Sequence, residues 1–526
     1  MQTRSTVMAS NAVVTSSHQL ASFHGADVIR NGGNVFDALI TTSSVLTVVQ
    51  NNLCGIGGDL FALLRGKDGV IREINGSGRA SRNATIDFYR RSGMDEIPDR
   101  GPLAGITVPG IVDAWGEINS KYGSMEISDL LKPAIEIAEY GYPLTRKYVQ
   151  SIKGTARFLS DQKGWSSLFM PNGRIPGEGE VFKQRHLAES LKMIAEEGHE
   201  TFYRGRLMEK IVKGTKENGG IFDEEDFRKH YSTWDTPLMT SYHGVDVYET
   251  YPNTQGAAII LWLNLLELYG GDIMNQPESK TLPILLKTGL RAYMARSLYI
   301  TDPAFHDLPR GFESKDFAEM IMNEPVEEWK APPGIKDKGD TTYFCLTDRE
   351  GNSASVIQSN YMGFGSGLSP TKTGFIIHNR GSYFSLDPDH HNSLQPGKRT
   401  FHTLCAAMGI KDGEMSFIAG TMGGDIQPQV NVQLINRIVD RGMDVQDALD
   451  HPRWAFFGTI YEKPSVLSVE ESLAGSIKGV DTQGLKLEKI PDMSSSTGHA
   501  QAIVFGKKGG LYAGSDPRGD GIASGF

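Results

Sequence analysis

Cysteine is scarce: Cys54, Cys345 and Cys405 are the only three in 526 residues. An odd handful in apolar surroundings cannot form a disulfide framework and is expected as reduced core thiols. Long apolar runs are missing too. The most apolar stretch, Gly256 to Tyr269, carries Asn264 and Glu267 and stops short of the roughly 20 residues a membrane-spanning helix needs. No membrane association is therefore expected. The first residues lack a basic segment followed by an apolar block, so no secretory leader is expected and the cytoplasm is the expected location. Basic clusters are absent: 53 Lys plus Arg face 63 Asp plus Glu, a net charge of −10, which argues against a nucleic-acid partner. No Walker A string, complete GxGxxG, HExxH, CxxC or GxSxG occurs. The pair His390–His391 has no third ligand at useful spacing and reads as loop, so no metal site is expected.

What the chain has in excess is glycine, 60 of 526 residues against a norm of roughly 7%. These glycines punctuate helices in the first half. A helix is expected after Ser16, with Ala21, Gly25, Val28 and Ile29 on one stripe and a stop at Gly32. Asn34 caps a second apolar run, to Gln50, that is expected to be fully buried. Two further helices are expected after Ser128 and His186, ending at Gly141 and Gly198. The character changes near a loop at Pro332. Thr341 to Tyr361 reads as two β-rich runs joined by a turn at Asp348–Asn352, and Gly374–Asn379, Ser416–Met422 and Ala500–Gly506 add more. The stretch from Val430 reads as helix. Helices and hairpins segregated in this way indicate an α+β body with antiparallel sheets.

Two short features carry chemistry. Gly339-Asp340-Thr341-Thr342 sits at the entry to a strand, where a turn and a strand edge would be the structural explanation. Gly423-Gly424 precede polar residues; paired glycines form tight turns and can also present N–H groups to an anion. Together with Asn31-Gly-Gly-Asn, Gly55-Ile-Gly-Gly-Asp, Gly78-Arg79, Phe364-Gly-Ser-Gly, Pro396-Gly-Lys-Arg, His451-Pro-Arg-Trp and Asp516-Pro-Arg-Gly-Asp, in order and spacing, the chain resembles the γ-glutamyltranspeptidase family of N-terminal-nucleophile hydrolases over nearly its whole length.

The resemblance implies an αββα four-layer sandwich, made as a precursor that cuts itself between Asp340 and Thr341. The products would be a large piece, residues 1–340, and a small one, 341–526, forming a heterodimer that can pair again. No metal or organic cofactor is implied. Thr341 would be both nucleophile and new chain start, its α-amine (ordinary pKa about 7.7–8.0) taking the hydroxyl proton. Gly423 and Gly424 would hold the oxyanion, and Ser359 falls where the family keeps a hydroxyl beside the nucleophile's amine. Arg79 matches the arginine that holds the substrate carboxylate.

Elsewhere the chain departs from the family. Arg380 and Tyr383 stand where an amide or acid and then an aspartate bind the substrate ammonium; Tyr361 replaces an asparagine, and His402-Thr403 a pair of serines. An ammonium about 4 Å from a guanidinium is repelled by roughly 4 kcal/mol at an effective dielectric of about 20. The expected substrate is therefore a small-molecule amide whose acyl group ends in a carboxylate but lacks the amine, such as glutaryl or succinyl. The stretch from Tyr383 to Arg399 is shorter than the family's lid, so an open cleft is expected. Two alternatives stand beside this: a true γ-glutamyl hydrolase or transpeptidase acting on glutathione, and an uncleaved carboxylate-binding scaffold.

Overall fold

The computed structural model of the chain describes residues 2–324, 339–457 and 465–526, so most of the loop expected at Pro332 lies outside them. Two seven-stranded sheets form the centre, and every strand pair within them is antiparallel. The first runs Ile522–Gly525, Ala12–Ser16, Asp340–Asp348, Ser353–Tyr361, Asp59–Arg65, Ile71–Gly76, Thr233–Asp235. The second runs Val7–Ala9, Leu511–Ser515, Ala500–Phe505, Glu414–Thr421, Ala407–Lys411, Val245–Glu249, Leu238–Tyr242.

The pleat explains the layering. Along Asp340–Asp348, Tyr343 and Cys345 point between the sheets, against Met408, Ile418 and Ile503 of the second. Phe344 and Leu346 point the other way, into a core shared with helices Gln19–Arg30, Val35–Val49 and Ile111–Tyr122. Helices Gly256–Glu267, Gln427–Ile435 and Val445–Asp450 cover the outer face of the second sheet. The order is helix, sheet, sheet, helix. All three cysteines are free and buried. Among the described residues no helix is long and apolar enough to cross a membrane.

Several local expectations are met in detail. The side chain of Asn34 accepts from Phe36 and Asp37 N–H groups while Asp37 reaches back to the Asn34 N–H, a capping box, and every residue of Val35–Val49 is buried. The helices after Ser128 and His186 span Ile127–Tyr140 and Arg185–Glu197 and stop at left-handed Gly141 and Gly198. One expectation fails. Gly374–Asn379 is extended but not a strand, because its N–H groups bond to two loop carbonyls and one at the end of Ser353–Tyr361: Ile377 to Leu368, His378 to Gly57, Asn379 to Asn360. The first half is largely helical, as expected, and also supplies seven strands to the two central sheets, four to the first and three to the second.

Candidate active site

The strands Asp340–Asp348 and Ser353–Tyr361 form the hairpin that carries Thr341. Their register breaks there: Asp340 faces Tyr361 and Thr342 faces Gln358, so Ser359 and Asn360 together oppose the single residue Thr341. Such a bulge kinks the strand and redirects side chains. Tyr361, at its end, adopts φ +72°, an uncommon conformation for a bulky residue.

The bulge gathers hydroxyls around one carbonyl. Thr341 Oγ1 donates to Asp340 O at 2.7 Å, and Ser359 Oγ donates to the same oxygen at 2.7 Å. The two hydroxyl oxygens are 3.2 Å apart. Tyr361 N–H donates to Ser359 Oγ at 2.7 Å, which fixes the direction of the serine proton. Gln427 Nε2 reaches Thr341 Oγ1 at 3.5 Å. Thr341 and Ser359 are each about 1% exposed.

The Gly423–Gly424 turn lies over the same point. Its φ values, +137° and +59°, are left-handed, and a Cβ on Gly424 would meet Gly339 Cα at 2.7 Å. The chain entering Asp340–Thr341 therefore rests directly on Gly424. Behind the turn, Asp425 accepts from Arg296 at 2.9 Å and from Tyr383 Oη at 2.7 Å, while Gln255 Nε2 donates to Gly424 O at 2.9 Å and to Thr403 O at 2.6 Å. Gly339 packs against Gly424 and the edge of the Tyr361 ring, and the rings of Tyr361 and Tyr383 lie 4.7 Å apart.

Arg380, Tyr361, Tyr383 and Thr403 come together as the sequence suggests. The Arg380 guanidinium stacks on Tyr361 (4.3 Å) and donates from Nη1 to Thr403 Oγ1 at 2.9 Å. It is 1% exposed, and its Nε and Nη2, with the Tyr361 hydroxyl, have no partner among the described residues. Arg79 is placed differently. Its guanidinium stacks on Tyr231 at 4.1 Å and lines a cavity of about 460 Å³ whose walls include neither Thr341 nor Arg380.

Three groups escaped the sequence reading. Asp59, the last residue of the Gly55 string, pairs with Ser359 across the sheet. Burial pushes its carboxyl up to about 7, against the pull of Arg380 and the N–H groups of Gly110 and Gly78. Its neighbours are His402 Nε2 at 3.0 Å and His378 Nδ1 at 3.4 Å, and burial holds both imidazoles neutral. Asp425 follows the glycine pair directly, which was the one available signal. Arg100, beside Asp340, had none.

The arrangement suits acyl transfer: a buried hydroxyl, a second hydroxyl on the same carbonyl, and a glycine turn beside them. A γ-glutamyltranspeptidase family model matches residues 21–526. The chain belongs to the γ-glutamyltranspeptidase family. It is 37% identical to the glutathione hydrolase-like YwrD proenzyme of Bacillus subtilis, over 99% of each chain. It is 32% identical to the oxamate amidohydrolase proenzyme of Klebsiella pneumoniae, again over 99% of both. Among solved structures, the cephalosporin acylase of Bacillus halodurans superposes with a TM-score of 0.91 at 33% identity, covering 100% of this chain and 98% of that one. Family and superposition make this an α+β N-terminal-nucleophile hydrolase, an enzyme that hydrolyses amide bonds or transfers their acyl groups. The relatives are proenzymes, and the γ-glutamyltranspeptidase family pattern of processing into a large and a small subunit extends to this chain.

Proposed function

We propose that the chain cuts itself between Asp340 and Thr341 and then acts, through a Thr341 acyl-enzyme, on amides of small acyl groups that carry a carboxylate and no amine. The observation that supports this best is the pair of hydroxyls on Asp340 O. In self-cleavage Thr341 Oγ1 bonds to the Asp340 carbonyl carbon, the C–N bond breaks, and the hydroxyl proton ends on the Thr341 nitrogen. Water then hydrolyses the ester, leaving an Asp340 carboxylate and a free Thr341 amine. Departure of Gly339 uncovers the Gly423–Gly424 turn, whose N–H groups serve the oxyanion of the next acyl donor.

Charge supports the substrate class. Arg380, buried and with two free donors, stands where an ammonium would have to sit. That weighs against a γ-glutamyl group and in favour of glutaryl or succinyl. Arg79 would contribute as the family's carboxylate-binding arginine only by leaving Tyr231. Intact-mass measurement after incubation, followed by turnover of γ-glutamyl and glutaryl anilides, tests both halves. Two pieces, the smaller starting at Thr341, and a glutaryl preference are expected. An uncut but active chain, or a clear γ-glutamyl preference, would contradict the reading.

A further inference from the structure

In the uncut chain the enzyme's first acyl donor is its own residue Asp340, so whatever holds Asp340 outlines an acyl pocket. Its carboxylate accepts from the Gly363 N–H and feels the charge of Arg100, which favours its ionised form against burial. A Cβ at residue 363 would stand 2.6 Å from Asp340 Oδ2, so a glycine there makes the room the carboxylate occupies. Arg100 is in turn fixed by the body of the protein. Its Nη1 donates to Gly363 O at 2.6 Å and to Gly365 O, and the next residue, Gly101, donates to Ser366 O at 2.7 Å. Phe364 N–H is tied to Asn52 O at 2.6 Å, and its ring packs against Trp165 and Phe169. None of these ties involves Gly339, Asp340 or Thr341, the residues at the cut. The cradle therefore outlasts the loss of Asp340.

A cavity of about 360 Å³ reaches Asp340 along Asn52, Lys147, Tyr148, Met422 and His499, giving an approach to this point. The Tyr361 ring touches both neighbourhoods: Arg380 stacks on it at 4.3 Å, and a Cβ at Gly339 would stand 3.4 Å from its edge.

We infer that the Arg100–Gly363 cradle is a carboxylate subsite of the mature enzyme and that it is spaced for a succinyl group. This rests on the proposed Thr341 chemistry and names its acyl donor. Three bonds separate the Asp340 carbonyl carbon from its carboxylate carbon, as in succinyl; glutaryl and γ-glutamyl have four. The carboxylate meets a backbone N–H and a guanidinium, a charge-assisted pairing that discriminates strongly against an uncharged chain end. Arg380, stacked on Tyr361, repels an amine, so the two arginines divide the work: one excludes the ammonium and the other accepts the acid.

The test uses the processed protein, normalised to cut chains, with succinyl, glutaryl and butyryl anilides. Succinyl is expected to exceed glutaryl, and to exceed butyryl by about 10- to 100-fold in kcat/KM, the effect of one hydrogen bond to a charged group. Arg100→Gln should erase the margin over butyryl through KM, with butyryl turnover changed less than about threefold. Free succinate should inhibit the wild-type protein competitively and butyrate should not, a measurement that needs no variant. Equal inhibition by the two acids, a glutaryl preference, or an Arg100→Gln protein that loses succinyl and butyryl turnover alike overturns the subsite. A cut, active protein giving those results leaves the Thr341 chemistry standing; a chain that stays whole and turns over none of the anilides overturns both.

Discussion

Two aspartates of this molecule are equally sealed from water and have opposite characters. Asp516 sits among Arg453 (2.5 Å), Arg518 (3.2 Å) and the Ala500 N–H (2.9 Å), and Glu470 completes the group against Arg518 at 2.6 Å. Although burial opposes ionisation, Arg453 and Arg518 hold the Asp516 carboxyl down to about 2. Asp59 faces two neutral histidines and an arginine that bonds elsewhere, and burial raises it to about 7. In the first group two acids meet two bases and the charges close on themselves. Around Asp59 they do not: Arg380 keeps two donors without a partner among the described residues. A closed network holds the fold together, and an open one is completed by a ligand.

If that contrast is right, substitutions in the closed group should strike stability and those in the open group chemistry. The largest effect is expected from Thr341→Ala: one uncut band on denaturing electrophoresis, amidase activity lower by at least about 10⁴-fold, and a thermal midpoint that does not vary with protein concentration. Asp516→Asn should cost about 3–5 kcal/mol in denaturant unfolding, the penalty of leaving buried arginines without their partner, yet leave the turnover of folded protein intact. Ser359→Ala removes one donor to the Asp340 carbonyl and should slow self-cleavage by about 10²- to 10³-fold, followed by intact mass. Arg380→Met should shrink the glutaryl over γ-glutamyl ratio by about 10- to 100-fold while stability holds or rises.

The smallest effect separates the two aspartates by pH. Asp516, depressed when folded, contributes stability above its unfolded value near 4 that is lost as pH falls toward about 2. Asp59, raised when folded, costs stability as pH climbs from about 4 through about 7. Asp59→Asn should therefore gain on the wild-type protein by about 2 kcal/mol between pH 5 and pH 8, measured by urea unfolding. A gain of the opposite sign would mean the carboxyl is ionised in the folded state well below neutrality.

The parts of the fold legible in the sequence were those whose partners are local. The Asn34 capping box, the glycine stops and the hairpin around Asp348–Ser353 all follow from residues a few positions apart. The strand Asp59–Arg65 was not legible because six of its seven residues are buried, which removes the alternation that marks a strand. Leu238–Tyr242 and Val245–Glu249 do alternate, but their turn is His243-Gly244, both left-handed at φ +47° and +78°, where Asn-Gly would have been the usual signal. At the site, Thr341, Ser359 and the glycine pair came through the family resemblance. Asp59, Asp425 and Arg100 did not, because each draws its meaning from segments distant in sequence.

The interleaving of strands has a consequence for the life of the enzyme after the cut. Ala12–Ser16 is clamped between Asp340–Asp348 and Ile522–Gly525, and Val7–Ala9 borders Leu511–Ser515, so each sheet is woven from both sides of the Asp340–Thr341 bond. Parting the two polypeptides would mean unravelling both ladders, so they cannot exchange with other copies while native. Their melting becomes concentration-dependent where the precursor's is not. With the proposed cut made, the memory of having been one chain is kept in the weave.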